Sequence, residues 1–262
     1  MDLGLSGRTA VITGGSKGIG YGVALALAKE GCEVHIASRD SATLETAKAN
    51  LKQQSGVEPT VHPIDLSASG SADKLLGATG IPDILVNNAG AIPGGNLQAI
   101  DEDTWRRAWD LKVFGYINLC RSAYEGMKSR GDGVIVNVTG LAADRTDFSY
   151  IAGTAGNASL NAFTKALGSY SLEDGIRVLA VSPGPVETER LVTLMKTRAK
   201  ADTGSEEGWR EYLKGMPKGR AATVEEVADV ITFMASDRAA YVSGTVLNVD
   251  GGHGTRGGSF SK

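Results

Sequence analysis

The chain has 262 residues, 42% of them hydrophobic and 22% charged, with a formal net charge of −3. That length suits one α/β domain with a large core, and the slightly acidic balance argues against nucleic acid or an anionic membrane as partner. No stretch of roughly 18 apolar residues offers a membrane span, and the opening Met1-Asp2-Leu3-Gly4 lacks a basic-then-apolar leader, so a cytoplasmic location is expected.

In chain order, a β-branched run at 9–13 predicts a first strand, and Gly14, Gly15, Gly18 and Gly20 follow at once. From 19 to 30, Val23, Ala24, Leu27 and Ala28 recur at spacings of three and four, which predicts a helix. A strand, a glycine-rich turn and a helix opening at its last glycines make an anion site: free N–H groups point outward and no side chain holds a pyrophosphate off. A tight loop without a ligand is the alternative. Glycine supplies 35 residues, so the flanking elements carry this reading more than the spacing does.

A second strand at 33–37 ends in Ser38-Arg39-Asp40, and Ser41 is expected to cap a helix reaching about 54. Strand 60–64 closes on Asp65-Leu66-Ser67, a short helix covers 72–78, and strand 83–86 runs into Asn87-Asn88-Ala89-Gly90. A long helix at 104–128, a strand at 133–139, a long helix at 150–172 and a strand at 176–181 follow, the last ending at Pro183-Gly184. Between 187 and 218, Leu191, Leu194 and Met195, then Trp209, Tyr212, Leu213 and Met216, predict a pair of short amphipathic helices forming an apolar lid. Arg190, Lys196, Arg198 and Lys200 in that stretch face either solvent or an anionic substrate. A helix at 224–235 and a strand at 245–249 precede Asp250-Gly251-Gly252, and the Gly/Ser-rich 254–262 is expected to fray. The alternation predicts an α/β fold: a Rossmann-type doubly wound parallel sheet of about seven strands, helices on both faces, in a single domain. Cys32 and Cys120 lie far apart, and His35, His62 and His253 show no i, i+4 spacing, so neither a disulfide framework nor a metal site is expected.

Cofactor choice follows from what closes the second strand, where an acidic side chain would hydrogen-bond the adenosine ribose. Ser38 stands there instead, Arg39 follows it, and Lys17 sits inside the glycine turn. Two cations favour a 2′-phosphate, hence NADP(H), with NAD(H) as the lesser choice. Asp40 complicates this, because it can pair with Arg39 as a surface ion pair.

Taken together, these motifs resemble the short-chain dehydrogenase/reductase superfamily over nearly the whole chain. Thr13 to Gly20 matches its cofactor turn, with Gly14, Ser16, Lys17, Gly18, Ile19 and Gly20 at the phosphates. Asp65-Leu66 matches the pair beside the adenine, and the run holding Asn88, Ala89 and Gly90 matches the one beside the cofactor in the central sheet. Pro183, Gly184, Val186 and Thr188 match the segment holding the carboxamide, and Val249-Asp250-Gly251-Gly252 the closing signature. The resemblance implies NADP(H)-dependent interconversion of a carbonyl and a secondary alcohol, and homodimers or homotetramers built through the helices at 104–128 and 150–172.

The catalytic set departs from the family's Asn, Ser and Tyr-x-x-x-Lys. Tyr150 is the expected proton donor. Counting four residues on gives Thr154 where the lysine belongs, the serine position is Gly140 with Thr139 before it, and the asparagine position is Lys112. A phenol with a pKa of about 10 needs a neighbouring cation to approach neutrality, and Thr154 cannot supply one. One reading moves the cation to Lys112, with Thr139 doing part of the serine's work. The other leaves Lys112 on the helix surface, in solvent or paired with Asp110. The small face of the second long helix, Gly153 to Asn161, serves either subunit packing or a polar relay through Asn157 or Asn161. Two functions therefore stand: an NADP-dependent oxidoreductase on a small-molecule carbonyl or alcohol, or a catalytically silent nucleotide-binding partner.

Overall fold

Ala10, Val11 and Ile12 have no exposed surface, because the strand they form, β1 (Thr9–Thr13), is covered on both faces as an interior parallel strand requires. The computed structural model describes residues 1–256. β2 (Glu33–Ser38) and β3 (Thr60–Pro63) extend the sheet to one side, and β4 (Ile84–Asn87), β5 (Gly133–Val138), β6 (Ile176–Pro183) and β7 (Val246–Val249) to the other. All neighbours are parallel, in the order β3-β2-β1-β4-β5-β6-β7. The order reverses between β1 and β4, and a crevice opens beyond their carboxyl ends.

Eight α-helices among the described residues connect the strands: α1 (Gly18–Lys29), α2 (Ser41–Ser55), α3 (Ser71–Thr79), α4 (Glu102–Trp109), α5 (Gly115–Arg130), α6 (Ile151–Gly168), α7 (Glu189–Thr203) and α8 (Val224–Ala235). Strand side chains alternate between faces. Ile12, Ile36 and Val136 meet Leu27 of α1, Leu44 of α2 and Ile231 of α8. Val11, Leu85 and Ile135 meet Leu75 of α3, Leu119 of α5 and Phe163 of α6 on the opposite face.

Several boundaries differ from the sequence reading for local reasons. The cap of α2 is Asp40 rather than Ser41, its carboxylate accepting the Thr43 N–H at 2.7 Å. The helix expected at 104–128 starts at Glu102, because Asp101 caps it, and breaks into α4 and α5 around a π-turn at Asp110–Phe114. The helix expected at 150–172 ends at Gly168, which is wedged against Gly244 and the Val178 carbonyl with no room for a side chain. The stretch 187–218 forms one long helix, α7, followed by short 3-10 turns at Trp209–Leu213 and Pro217–Gly219, rather than a pair of short helices; Met195 and Ala199 pack on Trp209 and Leu213. A 3-10 turn spans His253–Thr255, and the remainder of the tail expected to fray, 257–262, lies outside the described residues.

Arg177 on β6 shows how tightly the far face is tied. Its buried guanidinium donates to the carbonyls of Met234 at 2.6 Å and of Ala235 and Ser236 at 3.0 Å, the open end of α8. Arg177→Leu strands those carbonyls and is expected to lower unfolding free energy by about 2–4 kcal/mol, measured by urea denaturation. Among the described residues no helix is long and apolar enough to cross a membrane. No group of three or more His, Cys, Asp or Glu there is placed to hold a metal, and both cysteines are buried and free.

Candidate active site

The glycine turn is built for close backbone approach. Gly14 has φ +65° and Gly18 φ +54°, where a side chain strains the backbone. A Cβ on Gly20 would strike the Gly14 carbonyl and the Asn88 amide, and one on Gly18 would lie 3.2 Å from Thr188. Thr13 and Asn88 lock the carboxyl ends of β1 and β4 together. The Thr13 hydroxyl accepts the N–H groups of Asn88 at 2.9 Å and Ala89 at 3.0 Å, while Asn88 Nδ2 donates to the Thr13 carbonyl at 3.0 Å. This bare cradle at the start of α1 fits a dinucleotide pyrophosphate, with Ser16, Lys17 and Ile19 along its edge.

Beside it lies a cavity of about 180 Å³ lined by Gly14, Ala37, Ser38, Arg39, Ile64, Leu66, Ala89, Gly90, Ala91 and Leu111. Asp40 is committed to the α2 cap, where Thr43 and then the charge of Lys17 hold its carboxyl below the usual range. The competing Arg39–Asp40 pair is therefore replaced by a capping bond, and Arg39 stays on the cavity. Asp65 turns aside to accept from the Ser67 hydroxyl at 2.7 Å.

A second cavity, of about 610 Å³, is lined among others by Ile19, Lys112, Thr139, Gly140, Tyr150, Asn157, Pro183 and Gly184. Gly184 donates its N–H to the Val249 carbonyl at 3.0 Å, Val186 is buried, and the Thr188 hydroxyl caps α7 by accepting from Leu191 at 3.4 Å. The carboxamide-type segment thus meets the glycine turn at the mouth of this cavity.

Lys112 reaches it from the middle of the π-turn, whose extra residue re-aims the side chain. Its stem crosses Gly90, where a Cβ would come within 2.7 Å of Lys112 Cδ, and its ammonium donates to the Thr139 carbonyl at 3.3 Å. The solvent-facing alternative, with a pairing to Asp110, is not what the structure holds. Desolvation, then the nearby charge of Arg190, pull the amine down from 10.5 to about 8. Thr139 contributes that carbonyl; its hydroxyl faces Val181 O at 3.5 Å.

Tyr150 precedes α6 rather than belonging to it, at φ −139°, ψ 39°. Its ring lies over Gly153, and a Cβ built there would fall inside the ring. The phenol therefore occupies the space of a side chain at 153, and the residue one helical turn beyond that space is Asn157, not Thr154. Asn157 Nδ2 donates to the Gly153 carbonyl at 2.8 Å, and its buried Oδ1 has no partner. Thr154 instead accepts from the Asp147 N–H at 3.4 Å and does not line the cavity, so counting from Tyr150 misplaced the lysine position. Burial raises the Tyr150 phenol above 10, and the charge of Arg190 opposes this. Arg190 stands in the sequence as one of four cations between 187 and 218, with nothing to separate it from the others; Arg145 and His253 line the cavity and contact each other through Nη1 and Nε2. A histidine four residues beyond a strand carries no distinguishing sequence signal.

A family model described as enoyl-(acyl carrier protein) reductase matches residues 14–254. The chain is 31% identical over 252 residues to 3-oxoacyl-(acyl-carrier-protein) reductase FabG of Chlamydia muridarum, covering 95% of this chain and 98% of that protein. L-sorbose reductase from Gluconobacter frateurii, solved with NADPH and L-sorbose, superposes with a TM-score of 0.89 at 32% identity, covering 96% of this chain and 98% of that one. Actinorhodin polyketide ketoreductase with NADPH superposes at 0.88 with 29% identity, over 95% and 98% of the two chains. With a seven-stranded parallel sheet, a glycine cradle at its switch point and matches running almost end to end, this chain belongs to the short-chain dehydrogenase/reductase superfamily.

Proposed function

We propose that the protein is an NADP(H)-dependent oxidoreductase interconverting a small-molecule carbonyl and a secondary alcohol. The observation that carries this is one cavity lined by the Tyr150 phenol and the Lys112 amine, opening onto the glycine cradle and Pro183-Gly184. When bound, the nicotinamide supplies or accepts the hydride. In reduction Tyr150 Oη donates its proton to the carbonyl oxygen, and the Lys112 charge stabilises the phenolate left behind. Asn157, with an unpartnered buried oxygen in the same cavity, joins the polar relay. Related proteins solved with NADPH support the phosphorylated cofactor.

Oxidation of NADPH against a panel of aldehydes and ketones tests the activity. Arg39→Ala is expected to weaken NADPH binding about tenfold or more while changing NADH binding little, measured by fluorescence titration. The raised phenol of Tyr150 and Gly140 at the serine position favour a second reading, a silent nucleotide-binding partner. Under it, turnover emerges only after Gly140→Ser with Asn157→Lys. A Cβ at Gly140 meets Asn157 at 3.4–3.5 Å, an ordinary contact, so the serine fits.

We also propose a homodimer or homotetramer through α4–α5 and α6. Exposed Leu97 and Phe114 flank Trp105 and Trp109 along an apolar groove on α4 and the π-turn; light scattering reads the assembly.

A further inference from the structure

The first turn of α7 crosses the crevice. At one end Thr188 lies against Gly18 of the cofactor turn, close enough that a Cβ on Gly18 would approach within 3.2 Å. At the other, Arg190 Nη2 donates to the Ile92 carbonyl at 2.8 Å, beyond β4. Ile92 is buried among Ala108 and Ala152, with Tyr150 packed on the same cluster, and its side chain faces Gly156 of α6. The guanidinium is thus fastened to the wall that carries Tyr150.

We propose that Arg190 is a positioning residue for the Tyr150–Lys112 pair, a fixed positive charge delivered by the lid helix to a catalytic set that lacks the family's lysine. The inference rests on the reading of those two residues as the proton-transfer pair. Arg145 and Asp147, from the loop after β5, and His253, from the turn after β7, are the other charged or titratable side chains on the cavity wall beside Tyr150 and Lys112. Asp147 is engaged by the Ser149 hydroxyl at 2.6 Å, and Arg145 by His253. Arg190 is the charge whose field reaches both members of the pair, favouring the phenolate of Tyr150 and the neutral amine of Lys112. Arg190 is an exposed residue, so part of that field is screened.

Two variants separate charge from tether. Arg190→Gln keeps an N–H donor for the Ile92 carbonyl without charge; Arg190→Lys keeps the charge. The readout is the titration of the Lys112 side chain by NMR in isotopically labelled protein, its resonance assigned with Lys112→Met. Arg190→Gln is expected to raise that midpoint by about 0.5–1 unit, a three- to tenfold change in neutral amine, and Arg190→Lys to leave most of it in place. The shift shrinks in about 1 M salt. A wild-type midpoint in Arg190→Gln overturns the assignment. Because the titration needs no turnover, the two failures are distinguishable: a shifted midpoint in a protein that reduces no carbonyl removes the proton-transfer reading and leaves only the charge of Arg190 acting on Lys112.

Discussion

Replacing Tyr150 by phenylalanine is expected to cut carbonyl reduction by about 100- to 10,000-fold, the usual range for removing a general acid, with NADPH affinity unchanged. The ring stays, and with it the packing on Ile92 and Ala152; only the hydroxyl facing the cavity goes. Gly153→Ala supplies the complementary test without touching the phenol. The new methyl takes the volume that the Tyr150 ring occupies, and because Tyr150 lies ahead of the helix it can swing out while α6 stays intact. Alanine also improves on glycine in a helix interior by up to ~1 kcal/mol. A folded Gly153→Ala protein with turnover as low as that of Tyr150→Phe is the expected outcome, checked by steady-state kinetics beside circular dichroism. Turnover within a factor of about three of wild type in both variants removes Tyr150 from the chemistry.

The elements were legible because their periods differ cleanly. Buried strands read as β-branched runs, and helices as spacings of three and four. The glycine turn was equally readable, since a glycine needed for backbone clearance leaves its mark in the sequence itself. The arrangement of the cavity holding Tyr150 and Lys112 was not. The π-turn at Asp110–Phe114 leaves the apolar spacing of the surrounding helix uninterrupted, so nothing in the sequence signals that Lys112 turns inward. Counting Tyr150 to Thr154 assumed the tyrosine sits inside the helix, whereas its backbone at φ −139° places it ahead of the first turn. Gly153 held the clue, as the small residue beneath a ring donated from three positions earlier, but a glycine in a helix reads first as a packing device. Arg190 was visible as one of four cations on a lid, and only its bond to the Ile92 carbonyl distinguishes it from Lys196, Arg198 and Lys200.

Lys112→Met is expected to make the protein more stable at neutral pH and a poorer catalyst. The amine titrates near 10.5 in the unfolded chain and near 8 in place, chiefly because burial disfavours its charge. At pH 7 both states are protonated, and the folded state bears the full cost of the buried ammonium. That cost is roughly 3 kcal/mol from the shift, and about 1–2 kcal/mol once solvent reaching the cleft is allowed for. Between pH 8 and 10.5 the unfolded chain binds the extra proton, so wild-type stability gains with rising pH across this window. The methionine variant has no such gain. Its unfolding free energy is expected to exceed wild type by about 1–2 kcal/mol at pH 7 and to converge with it near pH 10, measured by urea denaturation at each pH. Catalysis runs the other way. The Tyr150 phenol is held protonated, so donation itself survives through pH 8, but the charge that steadies the departing phenolate is lost as Lys112 deprotonates. Wild-type reduction is therefore expected to fall toward tenfold per unit above pH 8. Lys112→Met starts from a kcat lower by about tenfold or more and shows no alkaline limb until well past pH 9. A variant that loses activity with its limb still at pH 8 would assign that limb to another group and leave the lysine a structural cost without a catalytic return.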